Sequence, residues 1–258
     1  MTKLKAILFD LDGTVYAGER EIPGASDYIK HLGSTGIRCV YITNRSNRTA
    51  ETVCKQLQGF GIPCNPDDII STAHVAANYV GNKSAFVIGE EGLVSALEEK
   101  GATITENSPE YVVVSLDRKF NYEKLEKACA LISRGSKFIA TNTDPRLKMD
   151  NRFVPGTGAI VAAVQTGTGK EPIVLGKPER IIIDMALEEC GCSAEEALVI
   201  GDFLPTDIAS GINAGLKTVL MLTGASTKAD IEETGIAPTY IAKDFAALAS
   251  IIQAEYGI

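Results

Sequence analysis

The chain lacks a basic excess: its 258 residues carry 25 Lys and Arg against 33 Asp and Glu, for a formal net charge of −8. Duplex binding needs a basic face to neutralise phosphates, so no nucleic-acid partner is expected. No uninterrupted apolar run approaches about 18 residues, the length a membrane-spanning helix needs. At the start, Lys3 and Lys5 precede an apolar stretch, Ala6–Phe9, that is too short for a secretion signal and is closed by Asp10. Neither a membrane partner nor export is expected. The six cysteines (Cys39, Cys54, Cys64, Cys129, Cys190, Cys192) include no CxxC, and the one close pair, Cys190-Gly191-Cys192, has neither redox nor zinc spacing. A cytosolic location with reduced, mostly packed thiols follows as an expectation. There is no low-complexity segment, charge run or internal repeat. Only two histidines occur, His31 and His74, both inside helical patterns and read as structural or solvated rather than catalytic.

What is present is ordinary globular material, 45% hydrophobic and 22% charged, enough to bury a sizeable core in one large domain or two smaller ones. Short β-rich runs at 6–10, 38–43, 85–89, 111–116, 137–141, 197–201 and 218–222 alternate with helical periodicity at 25–34, 50–60, 93–100, 122–133, 160–166, 178–190 and 208–214. That alternation predicts an α/β fold, a doubly wound parallel sheet built from βαβ units. Runs apolar on both faces suit a sheet covered by helices on each side. The chemistry-bearing residues fall only in the first and last thirds. The predicted organisation is therefore a discontinuous core of 1–81 and 175–258, interrupted by an inserted α/β domain at 82–174.

The first strand closes with Phe9-Asp10-Leu11-Asp12-Gly13-Thr14. Side chains alternate along a strand, so carboxylates at i and i+2 share one side, and Gly13 permits a tight turn away from the sheet. Both acids then project from a strand's carboxyl end, where open α/β sheets bind ligands. A solvated Asp-Gly turn is the plain alternative. A second pair follows another apolar run in Gly201-Asp202-Phe203-Leu204-Pro205-Thr206-Asp207. For Asp207 a helix cap is a strong plain alternative; for Asp202 the plain alternative is weaker, because two strands each ending in an acid would repel without a cation between them. Such an all-oxygen set favours a hard divalent cation, with Mg²⁺ held by one or two carboxylates, waters and substrate phosphate.

The second strand ends in Thr43-Asn44-Arg45-Ser46-Asn47 before a helix, a setting for an anion site. Lys177, in Gly176-Lys177-Pro178, adjoins an apolar run and precedes a helix whose first turn would hold the proline. The stretch Val154-Pro155-Gly156-Thr157-Gly158 is read as a helix start with no strand leading into it, since it lacks the third glycine of a nucleotide loop. Asp144, followed by Pro145, is read as either a substrate-facing loop residue or plain surface.

The ordered set FDLDGT, ITNR, GKP and GDFLPTD resembles the four motifs of the haloacid dehalogenase (HAD) superfamily. The insertion between the second and third motifs resembles the NagD-like and nitrophenylphosphatase subfamily with a large α/β cap, and residues 140–144 and 154–159 are similar to its cap sequences. The resemblance implies a Rossmann-like core and hydrolysis of a small phosphorylated metabolite, of nucleotide or sugar phosphate type, through an aspartyl phosphate. Asp10 would be nucleophile and Asp12 general acid and base. Mg²⁺ would be bound by Asp10, Asp202 and the backbone carbonyl of Asp12. Thr43, the Asn44 backbone and Lys177 would hold phosphoryl oxygens, with Asp207 supporting the metal's waters or Lys177. Relatives commonly have a second asparagine where this chain has Arg45, whose role the sequence leaves open. A homodimer through the cap is left open too. The rival readings are a phosphoryl-transferring mutase and a non-catalytic binding module that kept the fold.

Overall fold

The computed structural model of the protein describes residues 3–149 and 152–258. It divides into two compact units, one of Met1–Thr43, Ala50–Ile70 and Lys177–Ile258, the other of Asn44–Thr49 and Ser71–Gly176.

The first unit is built on a six-stranded sheet in the order Tyr240–Ala242, Lys217–Met221, Ala197–Gly201, Ala6–Asp10, Arg38–Thr43, Ile69–Ser71. Ala6–Asp10 pairs in parallel with Arg38–Thr43 on one side and Ala197–Gly201 on the other. Every residue of Ala6–Asp10 and Ala197–Gly201 is buried, which is why both read as continuous apolar runs. Phe9, Tyr41, Leu198 and Ile200 on these strands pack with Leu32, Leu57, Leu248 and Ile252 from the helices. The chain builds outward from its first strand on one side and later returns to the other. The crevice between the carboxyl ends of Ala6–Asp10 and Ala197–Gly201 is therefore the topological switch point.

Three predicted strands, Ala6–Asp10, Arg38–Thr43 and Ala197–Gly201, have the observed limits. The helix predicted from Pro178 begins instead at Ile181, after a turn in which Lys177–Pro178 is a cis peptide. The helix Phe245–Tyr256 was not predicted, because its run Ala246-Ala247-Leu248-Ala249-Ser250-Ile251-Ile252 has no polar stripe to set a period.

The second unit has its own five-stranded parallel sheet, ordered Ile173–Val174, Lys137–Ala140, Tyr111–Val114, Ser84–Ile88, Thr103–Ile104. Its helices are Thr72–Val80, Glu91–Glu99, Tyr122–Ser133 and Thr157–Thr168. Arg146–Met149 and Arg152–Pro155 form an antiparallel ribbon that runs straight into Thr157–Thr168. This corrects the expectation that no strand precedes that helix. Pro155 and the exposed Arg152 and Phe153 hid the strand, since proline and a lack of inward apolar alternation both argue against one.

The division departs from the predicted 81/82 and 174/175 limits. Thr72–Val80 packs on Glu91–Glu99 and joins the second unit, as does the short segment Asn44–Thr49. All six cysteines are unpaired. Among the described residues no helix is long and apolar enough to cross a membrane.

Candidate active site

Four side chains predicted from three separate motifs, Asp10, Lys177, Asp202 and Asp207, meet at the switch point of the first unit. Lys177 Nζ donates to Asp10 Oδ1 at 2.6 Å and to Asp207 Oδ1 at 2.7 Å, with the carbonyl of Ile42 at 3.4 Å. Asp10, Lys177, Asp202 and Asp207 are all buried, the most exposed being Asp10 at 8%. Oxygens of Asp10, Asp202 and Asp207 lie within 4.8 Å of one another.

Each side chain is placed by its local backbone. Asp207 sits in a π-helical turn, Leu204–Ile208, where its Oδ2 accepts from the Phe203 N–H at 3.0 Å. One oxygen thus closes the turn while the other accepts from the lysine; Asp207 lies within the first turn and is not its N-cap, which is Phe203. Asp202 Oδ2 accepts from the Ala225 N–H at 2.6 Å, and Oδ1 accepts from Thr14 Oγ1 at 3.3 Å. Gly13 has φ +94°, and a Cβ there or at Gly224 would run into the Asp202 carboxylate. Glycine at both positions therefore makes a cradle only a bare backbone can form. Thr223 Oγ1 donates to the Gly13 carbonyl at 2.7 Å and joins the two walls of that cradle. Thr14 lies inside the first motif, but nothing in the sequence around Thr223-Gly224-Ala225 signalled a site.

Asp12 is half-buried in the turn that follows Asp10, closed by the Val15 N–H on the Leu11 carbonyl at 2.9 Å and the Gly13 N–H on the Tyr16 carbonyl at 2.7 Å. Thr43 is buried at the end of Arg38–Thr43, one residue past Ile42, the register partner of Asp10. Asn44 belongs to the second unit. There its side chain Nδ2 donates to Asp144 Oδ2 at 3.1 Å, so Asp144 is not plain surface. Arg45 is exposed.

The electrostatics follow from three carboxylates and one ammonium in a buried space. Burial first, then repulsion from Asp207, raises the Asp10 carboxyl well above its usual range, and Lys177 only partly opposes this. Burial and Asp207 push Asp202 up to about 7. Burial alone would lower Lys177, but Asp10 and Asp207 outweigh it and hold the ammonium above its ordinary value. Carboxylates that resist ionisation beside a lone lysine have too little positive charge around them. The donor set consists of oxygen only, and Asp207 spends its oxygens on Lys177 and the Phe203 N–H. With oxygens of Asp10, Asp202 and Asp207 within 4.8 Å of one another, the set fits a hard divalent cation.

Comparison with known proteins shows the family. Residues 7–103 match the family described as haloacid dehalogenase-like hydrolase, and residues 174–248 match a HAD-hydrolase-like family. The chain belongs to the haloacid dehalogenase-like hydrolases and, within them, to the NagD-like phosphatases. It is 40% identical over 249 residues to an acid sugar phosphatase of Staphylococcus epidermidis, covering 95% of this chain and 96% of the relative. Among solved structures, p-nitrophenyl phosphatase from Archaeoglobus fulgidus superposes with a TM-score of 0.92 at 32% identity, covering 96% of this chain and 99% of that one. NagD from E. coli K-12 superposes with a TM-score of 0.89 at 31% identity, covering 95% and 98%.

Proposed function

We propose that the protein is a Mg²⁺-dependent phosphomonoesterase that hydrolyses small sugar phosphates through an aspartyl-phosphate intermediate. The observation that carries this is the buried Asp10 carboxylate, held through one oxygen by Lys177 beside Asp202 and Asp207. The bond to Lys177 fixes the direction of the carboxylate and leaves its second oxygen for attack on phosphorus. The phosphorus–oxygen bond to the leaving alcohol breaks as the bond to Asp10 forms. Asp12, two residues on in a half-buried turn, protonates the departing oxygen and later takes a proton from the water that hydrolyses the acyl phosphate. Thr43, the Asn44 backbone and Lys177 hold the phosphoryl oxygens, where positioning and charge stabilisation dominate catalysis. Asp10, Asp202 and the backbone carbonyl of Asp12 would hold Mg²⁺, which when bound supplies the positive charge that lets an anionic carboxylate approach a phosphate. Asp207 keeps Lys177 in place.

The sugar phosphate assignment rests on the name borne by the staphylococcal relatives, which align over 95% of the chain. Phosphoryl transfer by a mutase is the weaker reading. Between Asp12 and Thr43 the chain holds only a two-stranded ribbon, Tyr16–Ala17 with Arg20–Glu21, and the helix Ala25–Ser34, besides the second strand itself. A cytosolic setting accords with six unpaired cysteines. The test is release of p-nitrophenol from p-nitrophenyl phosphate, and of phosphate from a panel of hexose and nucleoside monophosphates, with Mg²⁺ and with EDTA. Mg²⁺-dependent turnover highest on hexose phosphates is expected, and turnover that is unaffected by EDTA or by Asp10→Asn refutes the mechanism.

A further inference from the structure

The second unit has a carboxyl-end crevice of its own, and the chain fills it with itself. Strand Ser84–Ile88 pairs with Thr103–Ile104 on one side and Tyr111–Val114 on the other, the doubly wound arrangement whose crevice receives ligands in open α/β sheets. Residues 44–49 lie there instead. Ser46 Oγ shares a hydrogen bond with Ser115 Oγ, just past Tyr111–Val114, and Ser115 Oγ pairs with Thr141 Oγ1 at 2.7 Å, just past Lys137–Ala140. At the start of Glu91–Glu99, the backbone of 46–48 leaves no space for a Cβ on Gly92.

Asn44 is gripped at both its carbonyl and its side chain. Its carbonyl accepts from Thr72 Oγ1 at 2.9 Å and from Asn142 Nδ2 at 2.8 Å, and its own Nδ2 donates to Asp144 Oδ2 at 3.1 Å. A Cβ on Gly176 would run into the Asn44 side chain. Asn142 in turn fixes Asp144, accepting the Asp144 N–H on Oδ1 at 3.1 Å. With the carbonyl arm and the side-chain arm of a tetrahedral Cα both tied down, the direction of the third arm, the Cα–N bond, is set.

We propose that Asp144 and Asn142 are positioning residues for phosphoryl transfer: by clamping Asn44 they orient the Thr43–Asn44 peptide whose N–H holds a phosphoryl oxygen. This rests on the phosphatase function proposed above and names residues beyond it. Asp144 acts through Asn44 and not on the substrate, so its loss affects every phosphomonoester alike.

The experiment compares Asp144→Ala, Asp144→Asn and Asn142→Ala with the wild-type chain, each checked for folding by its thermal midpoint. Steady-state kinetics use p-nitrophenyl phosphate and glucose 6-phosphate with Mg²⁺, and calorimetry measures the affinity for inorganic phosphate. Asp144→Ala is expected to lose roughly ten- to a hundredfold in kcat, by the same factor on both substrates, with weaker phosphate binding. Asp144→Asn keeps an amide oxygen for Asn44 and is expected to recover most of the loss. Wild-type kcat and phosphate affinity in folded Asp144→Ala and Asn142→Ala would overturn the proposal. So would a loss confined to glucose 6-phosphate, which makes Asp144 a substrate contact, or an equal loss in Asp144→Ala and Asp144→Asn. If Asp144→Ala fails to fold, Asn142→Ala carries the same test. A wild-type chain inactive on all phosphomonoesters refutes the phosphatase function instead, and phosphate affinity still decides the clamp.

Discussion

The two sheets are built alike and end differently. Both are parallel and doubly wound, with short apolar strands that open into a crevice at their carboxyl ends. In the first unit those ends carry charge, Asp10, Asp202 and Asp207, joined by Lys177 from the segment after Ile173–Val174, all buried, with one ammonium for three carboxylates. In the second unit they carry neutral donors and acceptors, Ser115, Thr141 and Asn142, together with carboxylates that each already have a partner in the same chain, Glu90 with Arg118, Asp117 with Lys124 and Asp144 with Asn44. The ion pairs tell the same story. Those of Lys177 are buried on both sides, while in the second unit Lys83–Glu110, Lys127–Glu106 and Lys137–Glu110 stand at the surface and Lys124–Asp117 buries only its carboxylate. A shared architecture supplies a crevice, and the residues at its rim decide whether it is left short of charge for a ligand or sealed by the protein itself.

The sharpest break in that comparison comes from Asp10→Asn, which keeps the shape of the side chain and removes the nucleophile. We expect kcat to fall by at least about a thousandfold with circular dichroism unchanged. Lys177→Met leaves Asp10 and Asp207 buried without their partner, and denaturant unfolding should show a loss of about 3–5 kcal/mol together with loss of activity. Removal of divalent cations by EDTA should lower activity by about a hundredfold or more, with recovery on adding Mg²⁺. Amide exchange in the second sheet should stay the same throughout, because its strand ends need no ion.

The pH response sharpens the contrast further. Asp202 titrates at about 7 in the folded chain, raised by burial and then by Asp207, against a usual carboxylate value near 4. The folded state therefore holds its proton more tightly than the unfolded state. That contribution is fully present below about pH 4 and is lost as the pH rises through about 7. In EDTA the protein should be more stable at pH 5 than at pH 8, by on the order of a few kcal/mol, and Asp202→Asn should weaken the trend, leaving the part due to the likewise raised Asp10. The smallest effect is reserved for the other unit. Lys127→Ala breaks an exposed pair with Glu106 and should shift stability by about 0.5 kcal/mol or less, with kcat unaltered.

Much of this was legible before any coordinates. Ala6–Asp10, Arg38–Thr43 and Ala197–Gly201 stood out because buried parallel strands must be apolar on both faces, and a terminal acid, threonine or glycine marks where each stops. Asp10, Asp202, Asp207 and Lys177 were each visible at such an end. Local pattern failed where the surroundings were apolar on all sides or the element was short. Thr72–Val80, rich in alanine and valine, shows no clear stripe, and Tyr240–Ala242 has three residues. The limits of the inserted unit failed for a related reason. Segment 44–49 carries no composition shift, and it joins the second unit only through partners such as Ser115 and Asn142, which are far away along the chain.

The sequence by itself determined the strand ends, the identity of the charged groups and the order in which they arrive, because alternation, burial and turn chemistry act over a few residues. Only the tertiary structure decided that Lys177 bridges Asp10 and Asp207, that Gly13 and Gly224 cradle Asp202, and that Asn142 and Asp144 grip Asn44. Hydrogen bonds and like-charge repulsion depend on distance in space. Pairs such as Lys177 with Asp10, 167 positions apart, or Asn142 with Asn44, 98 apart, come within those distances only after the sheets have set their register.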